Sequence, residues 1–395
     1  MTVLATSAGR LSARAEARAA GYRIEILADW KQAAARWGAF APPTAFQNPL
    51  WYEAWYAAFA DTDDVSPVIA FVTDAATGEP AALLPLIRHR QGSMQTIAFA
   101  DLDLTDYNAP LLGPAAPRDA AAARVFWRDL RAALRKLPGG ADLIRLRKVT
   151  SDLDGRPNPL ALLDGAAVCP VNGNLVTTGD DYDAWRYTLE RTVRKELERS
   201  WRVFTRDPTA NFAIAADSDE ALRILTTTEA QQSSRMQSLG VNFILNDENC
   251  AAFYRSLVSS GTGSGYAIVS ALTAGEEVVA TLLGVRNGSR YVMIRISNAG
   301  DKWSNCSPGR LIIERTMAAL HKQGVREFDF SIGNYAYKRR FGVKRLPLLD
   351  ISAALSWRGL PHALRDRAAQ ELRRYPRLTT YLKCALGKPP SREES

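Results

Sequence analysis

Two stretches of this chain, residues 67–149 and 266–330, spell out one order of elements: three strands, a polar loop, a helix and a fourth strand. That order constrains the fold more than any single motif. A strand reached through a helical crossover lies parallel to its sheet neighbour, so each stretch asks for a mixed sheet flanked by a helix. In the first, Pro67 to Thr73 and Ala81 to Arg88 flank a turn at residues 74–80, and a third strand lies near Gln95 to Ala100. The loop Asp101-Leu102-Asp103-Leu104-Thr105-Asp106-Tyr107-Asn108 leads to a helix at about residues 118–137, stopped by Gly139-Gly140, and to a strand from Asp142 to Val149. In the second, the strands are Tyr266 to Leu272, Glu277 to Arg286 and Ser289 to Ser297, with Asn287-Gly288 as a strong hairpin signal. The pattern implies an internal duplication whose copies share little sequence.

Only the second copy opens its helix with Ser307-Pro308-Gly309-Arg310-Leu311. Ser307 suits the N-cap, Pro308 the first helical position, and Gly309 would let a ligand approach the backbone closely. A helix start between strands favours phosphate, through its free N–H groups and its dipole. The next strand places Phe328, Phe330 and Ile332 on one face and Asp329 and Ser331 on the other. A pyrophosphate-bearing cofactor is therefore expected in the second half and a substrate site in the first. An ordinary α/β crossover is the competing reading.

Elsewhere, Tyr22 to Leu27 alternates as a strand, and the Trp-rich run from Pro49 to Phe59 reads as a helix packed in the core or walling a substrate groove. Residues 151–180, rich in Pro, Gly, Asn and Asp, read as linker. A charged helix follows from Asp183 to Phe204, its Arg191, Arg194, Lys195, Arg199 and Arg202 forming a solvated face or a basic wall. Helical patterns recur at 218–239 and from Asp247 to Ser259. Gly261-Thr262-Gly263-Ser264-Gly265 lacks a following Lys and precedes a strand, which makes it a connector. After Pro361, Leu364, Ala368 and Leu372 recur among arginines, as in a membrane-surface helix or a packing helix with a polar outer face. The expected organisation is a flexible tail (1–20, with a targeting segment as alternative), an N-terminal half (21–150), the linker, a C-terminal half (181–350) and a basic extension (351–395).

With 47% hydrophobic residues, the 395-residue chain can bury large cores, yet no apolar run approaches the length that spans a membrane. Its start lacks the apolar region of a signal peptide. The four cysteines are too scattered for a disulfide framework or a zinc site, which favours a reducing cytoplasm. A net charge of +8 favours anionic partners: a CoA-type cofactor, anionic lipid or RNA. His89, His321 and His362 have no nucleophile elbow beside them, so neither a hydrolytic triad nor a metal centre is expected.

The chain resembles the GNAT-superfamily acyltransferases of the CelD/BcsL type, which are related to the FemAB-type aminoacyl transferases. The resemblance runs from about Phe46 to Phe341. It is carried by Phe46-Gln47-Asn48-Pro49-Leu50-Trp51, Asp106-Tyr107, Arg194-Lys195-Glu196-Leu197, Asn242-Phe243, Ser307-Pro308-Gly309, Phe328-Asp329-Phe330 and Gly333-x-x-x-Tyr337-Lys338-x-x-Phe341. Relatives usually carry acids after the motif glycine, where this chain has Asn334-Tyr335.

The resemblance implies an α/β (α+β) tandem duplicated GNAT-like fold, with mixed sheets flanked by helices, that transfers an acyl group from acyl-CoA without a metal. Ser307, Gly309, Arg310 and Leu311 would hold the donor. Asp329 would be base or acceptor orienter, Tyr337 would protonate the departing thiolate, and Lys338 would stabilise charge or bind an anionic acceptor. A loop-capping Asp, a surface Tyr and a solvated Lys are the structural alternatives. Asp106, Tyr107, Asn108 and Arg235 are the substrate-side candidates. The acceptor is expected in the cell envelope: an exopolysaccharide sugar, or an amino-lipid such as a sphingoid base, with the basic tail allowing peripheral inner-membrane contact. Aminoacyl transfer from tRNA would use the basic balance, but the coiled-coil arm common in FemAB-type proteins is missing, so nucleic acid is not expected. A non-catalytic subunit of a polysaccharide machine is the remaining alternative.

Overall fold

The computed structural model describes residues 21–373 apart from 61, 241–244 and 246. The 1–20 tail, the Asn242-Phe243 match, Cys384 and the extension beyond residue 373 lie outside the described residues. The first half runs β1 (Tyr22–Leu27), α1 (Trp30–Trp37), α2 (Pro49–Phe59), β2 (Val65–Asp74), β3 (Pro80–Gln91), β4 (Met94–Phe99), β5 (Leu111–Leu112), α3 (Ala120–Leu134) and β6 (Leu143–Thr150). A small hairpin, β7 (Asp152–Leu153) and β8 (Arg156–Pro157), precedes β9 (Ala166–Thr177). The second half runs α4 (Tyr182–Thr188), α5 (Arg191–Phe204), β10 (Ala210–Ile214), α6 (Ser218–Ser238), α7 (Glu248–Gly261), β11 (Ala267–Ala274), β12 (Glu277–Asn287), β13 (Arg290–Asn298), α8 (Pro308–Lys322) and β14 (Glu327–Asp329). A short α9 (Ala336–Arg339), β15 (Lys344–Ala354) and α10 (Leu360–Arg373) follow.

Both copies of the repeated order are present. In each, a strand pairs antiparallel with the first of a three-strand meander, and the strand after the crossover helix lies parallel to the third: β4 with β6, and β13 with β14. One continuous sheet results, in the order β1-β2-β3-β4-β6-β15-β9-β14-β13-β12-β11-β10.

At its centre the halves exchange strands. β9 follows the first half in sequence but pairs with β14 of the second, and β15 follows the second but pairs with β6 of the first. β9 and β15 pair with each other, closing the seam. This corrects the linker reading of residues 151–180, because Ala166–Thr177 is an internal strand. Pro170, Gly173 and the two asparagines disguise it, and the β9–β15 register shifts between Pro347 and Leu349. The 351 boundary likewise cuts through β15. The single helix expected over Asp183 to Phe204 is two, since Leu189 leaves helical geometry at ψ 152°.

Helices α1, α2, α6 and α7 cover one face of the sheet in a core continuous across both halves. Asn48 caps α2 by accepting the Leu50 N–H, and Pro49 fills the first helical position. Trp51, Tyr52 and Trp55 are wholly buried, and Trp51 packs edge-on against Phe253 of α7 with ring centroids 4.9 Å apart. These aromatics fill the core rather than wall a groove. On the opposite face, α3 covers the first half and α4, α5 and α8 the second.

Candidate active site

The site begins where two parallel strands separate. β13 and β14 pair over three positions, ending at Val292 opposite Asp329. β13 then runs on to Asn298, leaving the backbone edge from Met293 without a strand partner on that side among the described residues. On its other edge, Leu283 pairs with Arg295 and Gly284 with Met293, so Ile294 is a bulge residue outside the ladder. An open edge beside a bulge gives an extended ligand amide donors and acceptors to pair with.

Asp329 sits at this fork, wholly buried. Its Oδ1 accepts the Tyr107 hydroxyl at 2.6 Å and the Ser331 N–H at 2.8 Å, while Oδ2 has no hydrogen-bond partner. Burial pushes the carboxyl up to about 6, and the Tyr107 and Ser331 hydrogen bonds oppose that shift. Tyr107 crosses from the first half, and β9 makes the room. A Cβ at Gly173 would lie 2.8 Å from Tyr107 Cε1.

The 101–108 loop is held from within. Asp101 accepts the Thr105 N–H, Asn108 Nδ2 and the Lys148 ammonium, the last at 2.8 Å. Gln47 donates to the Tyr107 carbonyl, which links the Phe46–Trp51 motif to the site. Asn108 therefore braces the loop. Asp106, half-buried, accepts the Ser331 hydroxyl, and burial raises its carboxyl.

After β14 the chain turns sharply through Ser331 and Gly333, both at positive φ. Asn174 of β9 donates to the Ser331 and Gly333 carbonyls at 2.8 and 2.9 Å. Lys338 is buried rather than solvated: its ammonium donates to the Ile332 carbonyl at 2.5 Å and lies over the Tyr335 ring. Burial lowers it to about 8. Tyr337 is half-buried beside Tyr335, and burial raises its hydroxyl to about 12.

At the start of α8 the geometry departs from expectation. Ser307 is left-handed, at φ 48°, and makes no side-chain cap; its hydroxyl accepts from Arg310. The Arg310 and Leu311 amides already donate to the Ser307 carbonyl. Arg310 is paired with Glu196 of α5 at 2.7 Å, and Arg340 meets the same carboxylate oxygen at 2.7 Å. Leu311 is fully buried, and a Cβ on Gly309 would come no closer than 3.8 Å to its surroundings, so close backbone approach does not explain that glycine. Arg235 is exposed on α6, and none of the cluster's hydrogen bonds or ion pairs reaches it. Among the described residues no group of acids, histidines and cysteines is placed to hold a metal.

Residues 191–339 match the family model described as an acetyltransferase (GNAT) domain. Over that segment, about 38% of the chain, the protein is similar to a GNAT acetyltransferase domain. The protein is accordingly an acyltransferase. Among solved structures, FemX is similar at 10% identity and a TM-score of 0.56, covering 87% of this chain and 100% of that one. The C-terminal domain of an Agrobacterium fabrum protein described as a lysylphosphatidylglycerol synthetase is similar at 13% identity and 0.51, covering 86% and 97%. At such identities the likeness is one of fold. No curated protein matches the chain in sequence.

The GNAT domain contains the fork, α8, Asp329, Tyr337 and Lys338, whereas Tyr107, Gly173 and Asn174 reach its site from outside. Sequence reasoning also missed a buried network beside the bulge. Arg295, 3% exposed, donates to Gln232 at 2.6 Å, faces Glu229 at 3.6 Å and lies over the Tyr254 ring. Residue spacing gives no signal for it, because its members come from three separate elements.

Proposed function

We propose that this GNAT protein transfers an acyl group from acyl-CoA to an amine or hydroxyl of a cell-envelope acceptor, a sugar or an amino-lipid. The observation that carries the reading is the buried Asp329 carboxylate, with a free Oδ2, at the strand fork. The donor's amide-bearing arm pairs with the open edge of β13, bringing its thioester to the fork. The acceptor nitrogen or oxygen attacks the thioester carbon, and Asp329 Oδ2 takes the proton it loses. The resulting oxyanion needs a donor, which the Ile294 bulge amide supplies. The C–S bond then breaks, and the thiolate takes the Tyr337 hydroxyl proton. Tyr107 and Ser331 orient Asp329, and Lys338 and Asn174 hold the turn that follows it. Because Asp329 is wholly buried in the free protein, its surroundings must shift for the acceptor to reach Oδ2.

A second reading, aminoacyl transfer from tRNA, is favoured by one observation: Arg310, the expected pyrophosphate ligand, is occupied by Glu196. Binding and thiol release with acyl-CoAs from acetyl to palmitoyl, beside salt-dependent binding of charged tRNA, separate the two. Saturable thiol release with a chain-length preference supports the CoA reading. Binding of tRNA with no CoA response overturns it.

A further inference from the structure

The molecule has a second basic feature, remote from the fork. Helix α3 and its C-cap carry Arg124, Arg128, Arg131 and Arg135, spaced by four, three and four residues so that they share one side. Arg131 and Arg135 donate to the Ala354 and Leu355 carbonyls at the end of β15, fixing α3 beside the start of α10. Between the two helices lies a groove of about 540 Å³, floored by Trp127, Leu163, Ala363 and Leu364 and rimmed by arginines that include Arg367 of α10. Two acids temper the rim: Asp129 pairs with Arg128, and the exposed Asp164 stands 3.8 Å from Arg124. Leu360 and Leu364, which line the groove, are about half exposed, and Trp357 just before them in the chain is 83% exposed. The exposed Arg358 and Arg365 stand next to them in the chain.

We propose that this α3–α10 face docks on an anionic lipid bilayer. Three large apolar side chains projecting beside a row of guanidinium groups suit an interface where acyl chains meet headgroup phosphates. A Trp prefers that depth, and arginines pair with phosphate. The charge decides the occupant: five arginines line the groove against two nearby acids, and headgroup phosphates supply the balancing charge that an uncharged protein partner would not. The inference concerns a surface remote from the fork and holds whichever donor the enzyme uses.

The test is sedimentation of the full chain with vesicles containing phosphatidylglycerol, against vesicles of phosphatidylcholine alone. The chain is expected to bind the anionic vesicles selectively and less tightly as salt rises. The pairs Arg124→Glu with Arg128→Glu, and Trp357→Asp with Leu364→Asp, should each weaken binding about tenfold or more. Arg223→Glu with Arg255→Glu, exposed positions on α6 and α7 across the sheet, should leave it unchanged. All substituted positions are exposed, so unchanged thermal unfolding will confirm intact folds. No preference for phosphatidylglycerol, undiminished binding in either face pair, or an equal loss in the control pair overturns the proposal.

Discussion

At the residue scale, the environment of Asp329 sets both chemistry and stability. Its carboxyl is held above the ordinary range by burial, so the folded chain binds this proton more tightly than the unfolded chain does. The stability so gained is complete below about pH 4, the unfolded value, and is lost as pH rises through about 6. The melting temperature of Asp329→Asn relative to the native protein should therefore rise between about pH 4 and about pH 8; a constant difference would contradict the assignment. Tyr107→Phe removes a hydrogen bond that lowers this carboxyl, so the acidic limb of the pH–rate profile should move to higher pH. A profile that merely drops in height would make Tyr107 a packing residue alone. Glu196→Gln frees Arg310 and Arg340, and on the CoA reading donor affinity should improve several-fold at low salt in a titration.

At the element scale, two glycines separate a packing role from a ligand role. Gly173→Ala drives a methyl into the Tyr107 ring and should cost about 1–3 kcal/mol in urea unfolding. Gly309→Ala has room and should leave donor binding nearly unchanged. The elements that could be read from the sequence were those with a plain pattern. The meander strands are apolar runs bounded by turn residues, with β3, β11 and β12 buried along most of their length. Helix α8 carries its apolar stripe, and Asp329 could be picked out because its neighbours Phe328 and Phe330 face the core. Where local signals were overruled, tertiary structure had decided. β9 keeps Pro170 and Gly173 because it is a crossing strand shaped around Tyr107, not a free segment. Ser307 suits a cap by residue type, but its backbone is left-handed and its hydroxyl accepts from Arg310 instead. Tyr107 was legible as part of a motif, yet its 222-residue reach to Asp329 was not.

At the scale of the whole molecule, strand exchange makes the halves interdependent. Each half's sheet is completed by a strand that belongs, in sequence, to the other, and one core spans both. Unfolding of the described region should be a single cooperative transition, with intrinsic fluorescence and far-UV dichroism coinciding; two separated transitions would contradict the exchange. The same architecture positions the chemistry, since the segment matching the GNAT model supplies the fork while the first half and the exchanged strand supply Tyr107 and Asn174. The most direct measurement is the rate of acyl transfer from about pH 5 to about pH 9 for the native enzyme and Asp329→Asn. The native rate should rise through about pH 6, and the variant should lose that limb and about 10²–10⁴ in rate. A variant that keeps both the rate and the limb would remove Asp329 as the base and with it the proposed mechanism.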